Sequence, residues 1–290
     1  MFEGFGRNQA TLDGITINFV QKGSGPPLLL LHGYPQTHVM WHKIAPQLAE
    51  RFTVVASDLR GYGDSAKPET TSDHAPYSKR ATGNDQVKLM RSLGFKQFYL
   101  VGHDRGGRVG HRMALDHPEA VKKLTVLDIA PTYTMYKTTD MTFAEAYYHW
   151  FFLIQPYDLP ERLIGADAEY YLRKKLGQWG SDSAAFTEAA MNEYLRCFTP
   201  KTIHASCEDY RAAATIDLEH DQQDIDAGTL VQCPVLALWG DKGFVDKKYD
   251  VIAEWQERAV DVRGFTLPCG HFLPEEAPKE TLQALLGFLG

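Results

Sequence analysis

Residues 97–106, Gln-Phe-Tyr-Leu-Val-Gly-His-Asp-Arg-Gly, form an apolar run that leads straight into a turn with Asp104 at its apex. The apolar run predicts a buried β-strand, and the periodic pattern after Gly106 predicts a helix. Glycines around such a strand–turn–helix connection permit the strained backbone that pushes the apex side chain into the open. We therefore predict that Asp104 is a nucleophile, which as a carboxylate would attack a saturated carbon and form an ester with the substrate.

Strand and helix patterns alternate on both sides of this turn. The segment Ile15–Val20 alternates as an antiparallel edge strand would, whereas Pro27–Leu31 is a continuous apolar run typical of a parallel strand. The alternation predicts an α/β fold with a mixed, mostly parallel, doubly wound sheet. Further buried strands are predicted at Phe52–Ala56, Phe98–Val101, Leu124–Leu127 and Val235–Leu238, with helices around 41–50, 79–93, 106–117 and 246–258.

The alternation stops between Leu127 and Pro234. This segment carries amphipathic helical patterns and many aromatic residues, but no run typical of a buried strand. We predict a core domain formed by residues 1–132 and 230–290, with a helical cap at 133–229 inserted over the carboxyl end of the sheet.

Composition limits the classes of function. The 290 residues are 44% hydrophobic, enough for one sizeable domain with an insertion. A formal net charge of −7 argues against nucleic-acid binding, and an anionic substrate would need local cations. The sequence predicts neither export nor membrane insertion. Its four scattered cysteines are typical of reduced thiols in a cytoplasmic protein rather than of disulfides or a zinc site.

The other parts of a nucleophile, acid and base set are expected beyond the ends of the strands, on the same edge of the sheet. His271 follows the last strand and is the predicted base that activates water. Asp128 ends a predicted strand and is the predicted acid that orients His271, with Asp241 and Asp246 as alternatives.

Two backbone N–H groups and two arginines complete the predicted site. The N–H groups of Tyr34 and Arg105 are expected to form an oxyanion hole. Arg105 and Arg108 are three positions apart on the predicted helix and share a face beside Asp104, where they could clamp a substrate carboxylate. The alternative is that both arginines pair with acids. His32 and His103 are interpreted as structural.

The motifs resemble the α/β-hydrolase superfamily over essentially the whole chain, in its branch with an aspartate nucleophile. Three segments are similar to fluoroacetate (haloacetate) dehalogenases: Asp-Arg-Gly-Gly-Arg at 104–108, Leu-Asp-Ile-Ala-Pro at 127–131 and Tyr-His-Trp-Phe-Phe at 148–152. Haloalkane dehalogenases and epoxide hydrolases typically have tryptophan where this chain has Arg105, and an apolar haloalkane has no use for a buried guanidinium.

The resemblance implies a homodimer without cofactor or metal that hydrolyses a short, anionic 2-haloacid to the hydroxyacid and halide. It also implies that His149, Trp150 and Tyr210 bind the departing halide. Tyr147 and Tyr148 are alternatives to Tyr210. The cap aromatics could also be the core of an ordinary amphipathic helix from 141 to 155.

Two other functions fit the same residues. An epoxide hydrolase would share the aspartyl ester, but would use cap tyrosines to protonate the ring oxygen and would be indifferent to the arginines. A non-catalytic binding protein could keep the fold and lose turnover.

Overall fold

The computed structural model describes residues 1–290, apart from the side chain of Ser183. An eight-stranded sheet has the order β1-β2-β4-β3-β5-β6-β7-β8. The pairings of β2 with β1 and β4 are antiparallel, and those joining β4, β3, β5, β6, β7 and β8 are parallel. This confirms the predicted α/β fold. The strands are β1 Gly6–Leu12, β2 Ile15–Lys22, β3 Pro27–Leu31, β4 Thr53–Ser57, β5 Phe98–His103, β6 Val121–Leu127, β7 Val235–Gly240 and β8 Val262–Leu267.

Helices cover the sheet and fill the segment between β6 and β7. The core helices are α1 Ala45–Leu48, α2 Lys79–Ser92, α3 Arg105–Asp116, α12 Phe244–Lys248, α13 Val251–Gln256, α14 Leu273–Glu276 and α15 Pro278–Leu289. Those between β6 and β7 are α4 Thr132–Lys137, α5 Met141–Ala146, α6 Tyr148–Leu153, α7 Leu159–Ala166, α8 Ala168–Trp179, α9 Glu188–Cys197, α10 Pro200–Ala214 and α11 Ile216–Ala227. Short 3₁₀ helices span His38–Trp41, Ala75–Tyr77 and Ser183–Ala185.

The predicted central strands are all present, because fully apolar runs such as β3 are buried on both faces of a parallel sheet. Strands β1 and β8 were not delimited from the sequence. They form the two edges of the sheet, and most of their residues are exposed or half-buried, so their composition carries a weaker signal. The helix predicted at 246–258 is in fact two short helices, α12 and α13.

The alternative prediction of a single helix from 141 to 155 is also incorrect. The chain forms α5 and α6, separated at Tyr147, whose φ of −115° and ψ of 32° are not helical. Tyr147 packs instead against Phe143, Trp179 and Phe244. His149 and Trp150 both lie on α6, after the break. None of the described helices is long and apolar enough to cross a bilayer.

Candidate active site

Asp104 is the single residue between β5 and α3. Its φ of 45° and ψ of −115° lie outside the regions that non-glycine residues commonly adopt. The turn is tight enough that a Cβ on Gly106 would lie 2.5 Å from the main-chain oxygens of Leu31 and His32. Glycine at 106 therefore allows β3 and α3 to approach, and the Asp104 side chain projects from the turn.

The loop after β3 lies against Asp104. The main-chain N–H of Tyr34 donates a 2.9 Å hydrogen bond to Asp104 Oδ1. A Cβ on Gly33 would lie 2.5 Å from Asp104 Cβ, so this approach requires glycine. Arg105 is the first residue of α3, where a helix leaves its N–H groups without internal partners. One carboxylate oxygen of Asp104 is thus held by the backbone.

Asp128 and His271 are joined by a 2.6 Å hydrogen bond between Oδ2 and Nδ1. The other oxygen of Asp128 accepts the N–H of Gly240 at 3.0 Å. Burial disfavours the charged imidazole, but the hydrogen bond to Asp128 and its charge outweigh burial and raise the pKa of His271 above its ordinary value. The two alternative acids lie elsewhere: Asp246 accepts the Trp239 indole N–H at 2.7 Å, and Asp241 is exposed.

Asp104 is buried, and its surroundings favour the carboxylate. Burial alone would raise the pKa of Asp104, but the charges of His271 and Arg108 more than compensate and hold it below its usual range. An ionised, partly desolvated carboxylate is the form that can act as a nucleophile.

Arg105 is buried and anchored by Asp209 of α10. Its Nε donates to Asp209 Oδ2 and its Nη2 to the Asp209 carbonyl, both at 2.7 Å. Tyr62 and Lys79 also donate to the Asp209 carboxylate. The Nη1 of Arg105 is buried and has no hydrogen-bond partner among the described residues.

Arg108 is held in a similar way by other groups. Its Nη1 donates to the Ala130 carbonyl at 3.1 Å and to Thr132 Oγ1 at 3.0 Å, while Nη2 lies 3.2 Å from Met135 Sδ. Its Nε is buried and unpaired among the described residues. Each guanidinium therefore has one nitrogen without a partner among the described residues. Arg105 pairs with an acid, as in the alternative interpretation, whereas Arg108 is held by a carbonyl and a hydroxyl group.

His149, Trp150 and Tyr210 are fully buried and lie together. The Tyr210 ring centre is 5.6 Å from that of His149 and 6.3 Å from that of Trp150. The guanidinium of Arg105 lies 4.1 Å from the Tyr210 ring centre, and that of Arg108 lies 4.8 Å from the Trp150 ring centre. The cap aromatics are thus placed directly on the arginines that follow Asp104.

The polar atoms of these three side chains lack partners. The Nδ1 of His149, the indole N–H of Trp150 and the hydroxyl of Tyr210 are buried and unpaired among the described residues. Burial, together with the positive charge of Lys175, holds the pKa of His149 well below its ordinary value, so the imidazole is neutral. Buried polar groups are normally hydrogen-bonded, and a cluster without partners indicates a place for a ligand.

Sequence reasoning missed several residues around this cluster. The Tyr136 hydroxyl is also buried and unpaired among the described residues, and its ring centre is 4.8 Å from that of Trp150. Trp179 of α8 lies 4.4 Å from His149 and 5.7 Å from His271, between ring centres. The broken helix also buries Tyr147, whereas Tyr148 is 41% exposed. Only the proximity of Tyr136 to the Leu-Asp-Ile-Ala-Pro segment could have drawn attention to it.

A cavity of about 260 Å³ opens beside His271 and Asp128. Tyr147 and Trp179 form part of its wall, and the exposed residue Lys242 is at its border. The lining of the cavity therefore includes both the predicted base, His271, and the exposed Lys242.

His32 and His103 support loops. The ring of His32 lies 2.9 Å from the Gly33 carbonyl and accepts the Leu59 N–H at 3.1 Å. The Nε2 of His103 lies 2.8 Å from the His271 carbonyl, and burial lowers the pKa of His103 to about 3. A neutral His103 can donate this hydrogen bond to the loop that carries His271.

The sheet order, the strained turn and the joined acid and histidine agree with a family model of the alpha/beta hydrolase fold, which matches residues 26–278. The chain belongs to the α/β-hydrolase fold family. It is 49% identical to a fluoroacetate dehalogenase from Burkholderia sp., over 100% of this chain and 95% of that protein. It is 36% identical to a soluble epoxide hydrolase from Corynebacterium sp. (strain C12), over 97% and 96% of the two chains. The crystal structure of a protein from Nostoc sp. PCC 7120, described as an α/β hydrolase, shares 64% identity, covers 100% of this chain and 99% of that chain, and has a TM-score of 0.98.

Proposed function

We propose that the protein is a hydrolytic dehalogenase that converts a short 2-haloacid, such as fluoroacetate or chloroacetate, to the hydroxyacid and halide. The observation that carries the proposal is the pair of buried guanidinium groups beside Asp104, each with one nitrogen unpaired among the described residues. A carboxylate shared between Arg105 Nη1 and Arg108 Nε would satisfy both. The similarity to a fluoroacetate dehalogenase supports the same substrate class.

In the first step, the free oxygen of Asp104 attacks the carbon that bears the halogen. A bond forms between this oxygen and carbon, and the carbon–halogen bond breaks with its electron pair leaving on the halide. The N–H and O–H groups of His149, Trp150 and Tyr210 donate to the developing anion, which makes them most effective in the transition state.

In the second step, His271 takes a proton from water, and the hydroxide adds to the acyl carbon of Asp104. The N–H groups of Tyr34 and Arg105 stabilise the resulting oxyanion. Collapse breaks the ester bond between the acyl carbon and the alkoxide oxygen, and the His271 imidazolium returns its proton to that oxygen. The hydroxyacid leaves, the water oxygen stays in the carboxyl group of Asp104, and that group loses a proton to solvent to become the carboxylate again. Asp128 stabilises the imidazolium that exists between these events.

Halide release from fluoroacetate and chloroacetate tests the proposal, with styrene oxide hydrolysis as the competing assay. Replacing Asp104 by Ala should abolish halide release, whereas full activity in this variant would rule out the aspartyl ester. A single turnover in ¹⁸O-labelled water should label Asp104 and leave the product unlabelled.

An epoxide hydrolase is the second candidate, favoured by the Corynebacterium relative and by the buried tyrosine hydroxyls of the cap. It predicts epoxide turnover without halide release and little effect of Arg108→Gln. If a ligand stabilises the protein against heat but is never consumed, a binding protein is the better description. We also propose that the protein acts in the cytoplasm as a homodimer. Sedimentation of the full chain tests whether it is a dimer.

A further inference from the structure

Lys175 of α8 is a buried lysine behind the cap donors. Its exposure is 0%. Its Nζ lies 3.7 Å from the ring centre of Tyr148, 5.2 Å from that of Trp179 and 5.9 Å from that of Tyr171. The Trp179 ring in turn lies 4.4 Å from His149, between centres. The Trp179 ring is therefore a neighbour of both the Lys175 ammonium and the His149 imidazole.

The described residues provide no anion for this ammonium. Its one hydrogen bond among them is to the amide oxygen of Gln178, at 3.3 Å. Lysines are almost never fully buried without a charged partner, because desolvation penalises the ammonium form. Burial is the sole cause that lowers the pKa of Lys175 to about 7. The aromatic faces around Nζ favour the cation, but they are a weaker substitute for a carboxylate.

The titratable groups that contact the Lys175 ammonium are neutral near neutral pH, and the one carboxylate on α8, Glu169, is exposed and paired with Arg173. Helix α6 contributes Tyr148 and the neutral His149. Helix α8 contributes Tyr171 and, along the adjoining surface groove, the cations Arg173 and Lys174. Burial raises the pKa of both Tyr148 and Tyr171, so neither supplies a negative charge.

We propose that the Lys175 ammonium, in addition to the fixed charges of Arg105 and Arg108, is a counter-ion of the halide that the reaction leaves in the cap, acting across Trp179 and His149. The inference rests on the proposed function. Bond breaking creates a negative charge next to His149, and among the positive charges around His149 that of Lys175 opposes its protonation most. Lys175, rather than His149, is thus the group that takes up a proton from solvent when halide binds, which leaves His149 as a neutral donor.

The sign of the effect follows from linkage. A bound anion raises the pKa of Lys175 above its value in the free enzyme, about 7. Halide affinity is highest at pH values below the free-enzyme pKa, where Lys175 is already protonated. It falls as pH rises from there to the pKa of the complex and is constant above it. Each unit between the two pKa values changes affinity tenfold.

The experiment measures the chloride and bromide dissociation constants of the full chain across neutral pH, by quenching of tryptophan fluorescence. We expect wild-type affinity to fall by about tenfold or more from pH ~6 to pH ~9. Lys175→Met, which places a methionine of similar length among the aromatic rings, should bind halide weakly at every pH. Lys174→Met, an exposed neighbour on α8, should behave as wild type. Halide binding in weak buffer should consume protons in wild type and not in Lys175→Met.

The outcomes separate the inference from the proposed function. A pH step that remains in Lys175→Met would belong to another group, such as His271, and would overturn the inference. Equal losses in Lys174→Met and Lys175→Met would overturn it as well, since the effect would then not be specific to the buried ammonium. If Lys175→Met is too unstable, Lys175→Gln with a melting curve replaces it. Halide release from chloroacetate by all variants would support the proposed function whatever the result for Lys175. If the wild-type protein neither binds nor releases halide, both the proposed function and the inference about Lys175 are wrong.

Discussion

At the edge of the sheet, which we call the core region, Asp104, Asp128 and His271 each have hydrogen-bond partners within the protein. Among the helices between β6 and β7, which we call the cap region, His149, Trp150 and Tyr210 have buried polar atoms without partners among the described residues. The core groups are fixed in position before any substrate arrives. Unpaired buried donors cost free energy, about 1–3 kcal/mol each in measured cases. Such a cost is reasonable where a ligand supplies the missing acceptor.

The two arginines belong to both regions. Each is held by all but one of its nitrogens, with Asp209 anchoring Arg105 and main-chain and side-chain acceptors anchoring Arg108. Each is also stacked on a cap aromatic, Tyr210 or Trp150. The satisfied donors fix both guanidinium groups in place, and the unsatisfied donors indicate where an anion would bind.

The largest effect is expected from His271→Asn, which removes the imidazole that is hydrogen-bonded to Asp128. The ester should form on Asp104 and persist, because no base activates water, and turnover should fall by about 10⁴ or more. Mass spectrometry of the peptide that contains Asp104 should detect the added acyl-linked substrate. The double variant with Asp104→Ala should show no added mass, and undiminished multiple turnover in His271→Asn would contradict the assignment of the base.

Asp128→Asn tests how the core set controls protonation. Only neutral His271 can accept a proton, and its pKa is raised by Asp128, so kcat should rise with pH through a value above the ordinary histidine pKa. Removing the Asp128 charge should move this rise of kcat to lower pH and reduce kcat by about 10³–10⁴. If kcat of Asp128→Asn rises with pH over the same range as in wild type, another group controls the pH dependence. Asp246→Asn, at the acid bonded to Trp239, is the matched control and should keep the wild-type profile.

Sequence patterns predicted the core region better than the cap. Asp104 and Asp128 follow apolar runs whose burial in a parallel sheet fixes their place at its edge. The partner of Arg105 could not be predicted, because Asp209 lies 104 positions away on a helix whose packing depends on the tertiary structure. The break at Tyr147 also has no local signal such as proline or glycine.

Arg108→Gln tests whether the arginine that contacts both regions also binds the substrate carboxylate. A haloacid should lose one of two cationic contacts, and kcat/KM for chloroacetate should fall by about 10²–10³. Activity toward chloroacetamide, which lacks the carboxylate charge, should change much less. The matched control is Arg91→Gln, at an exposed arginine paired with Glu119. Equal losses on both substrates would indicate damage to the fold near Asp104 rather than loss of a carboxylate contact.

Tyr210→Phe is expected to have the smallest effect, since it removes one unpaired donor from the cap and keeps the ring stacked on Arg105. Fluoride concentrates its charge and accepts stronger hydrogen bonds than chloride does, so the loss should be larger for fluoroacetate, about tenfold, than for chloroacetate. Tyr170→Phe, at a tyrosine that is 64% exposed, should change neither rate. If Tyr136→Phe produces the fluoride-selective loss and Tyr210→Phe does not, the halide donor is the unpaired hydroxyl of Tyr136, which lies on α4 beside the Trp150 ring.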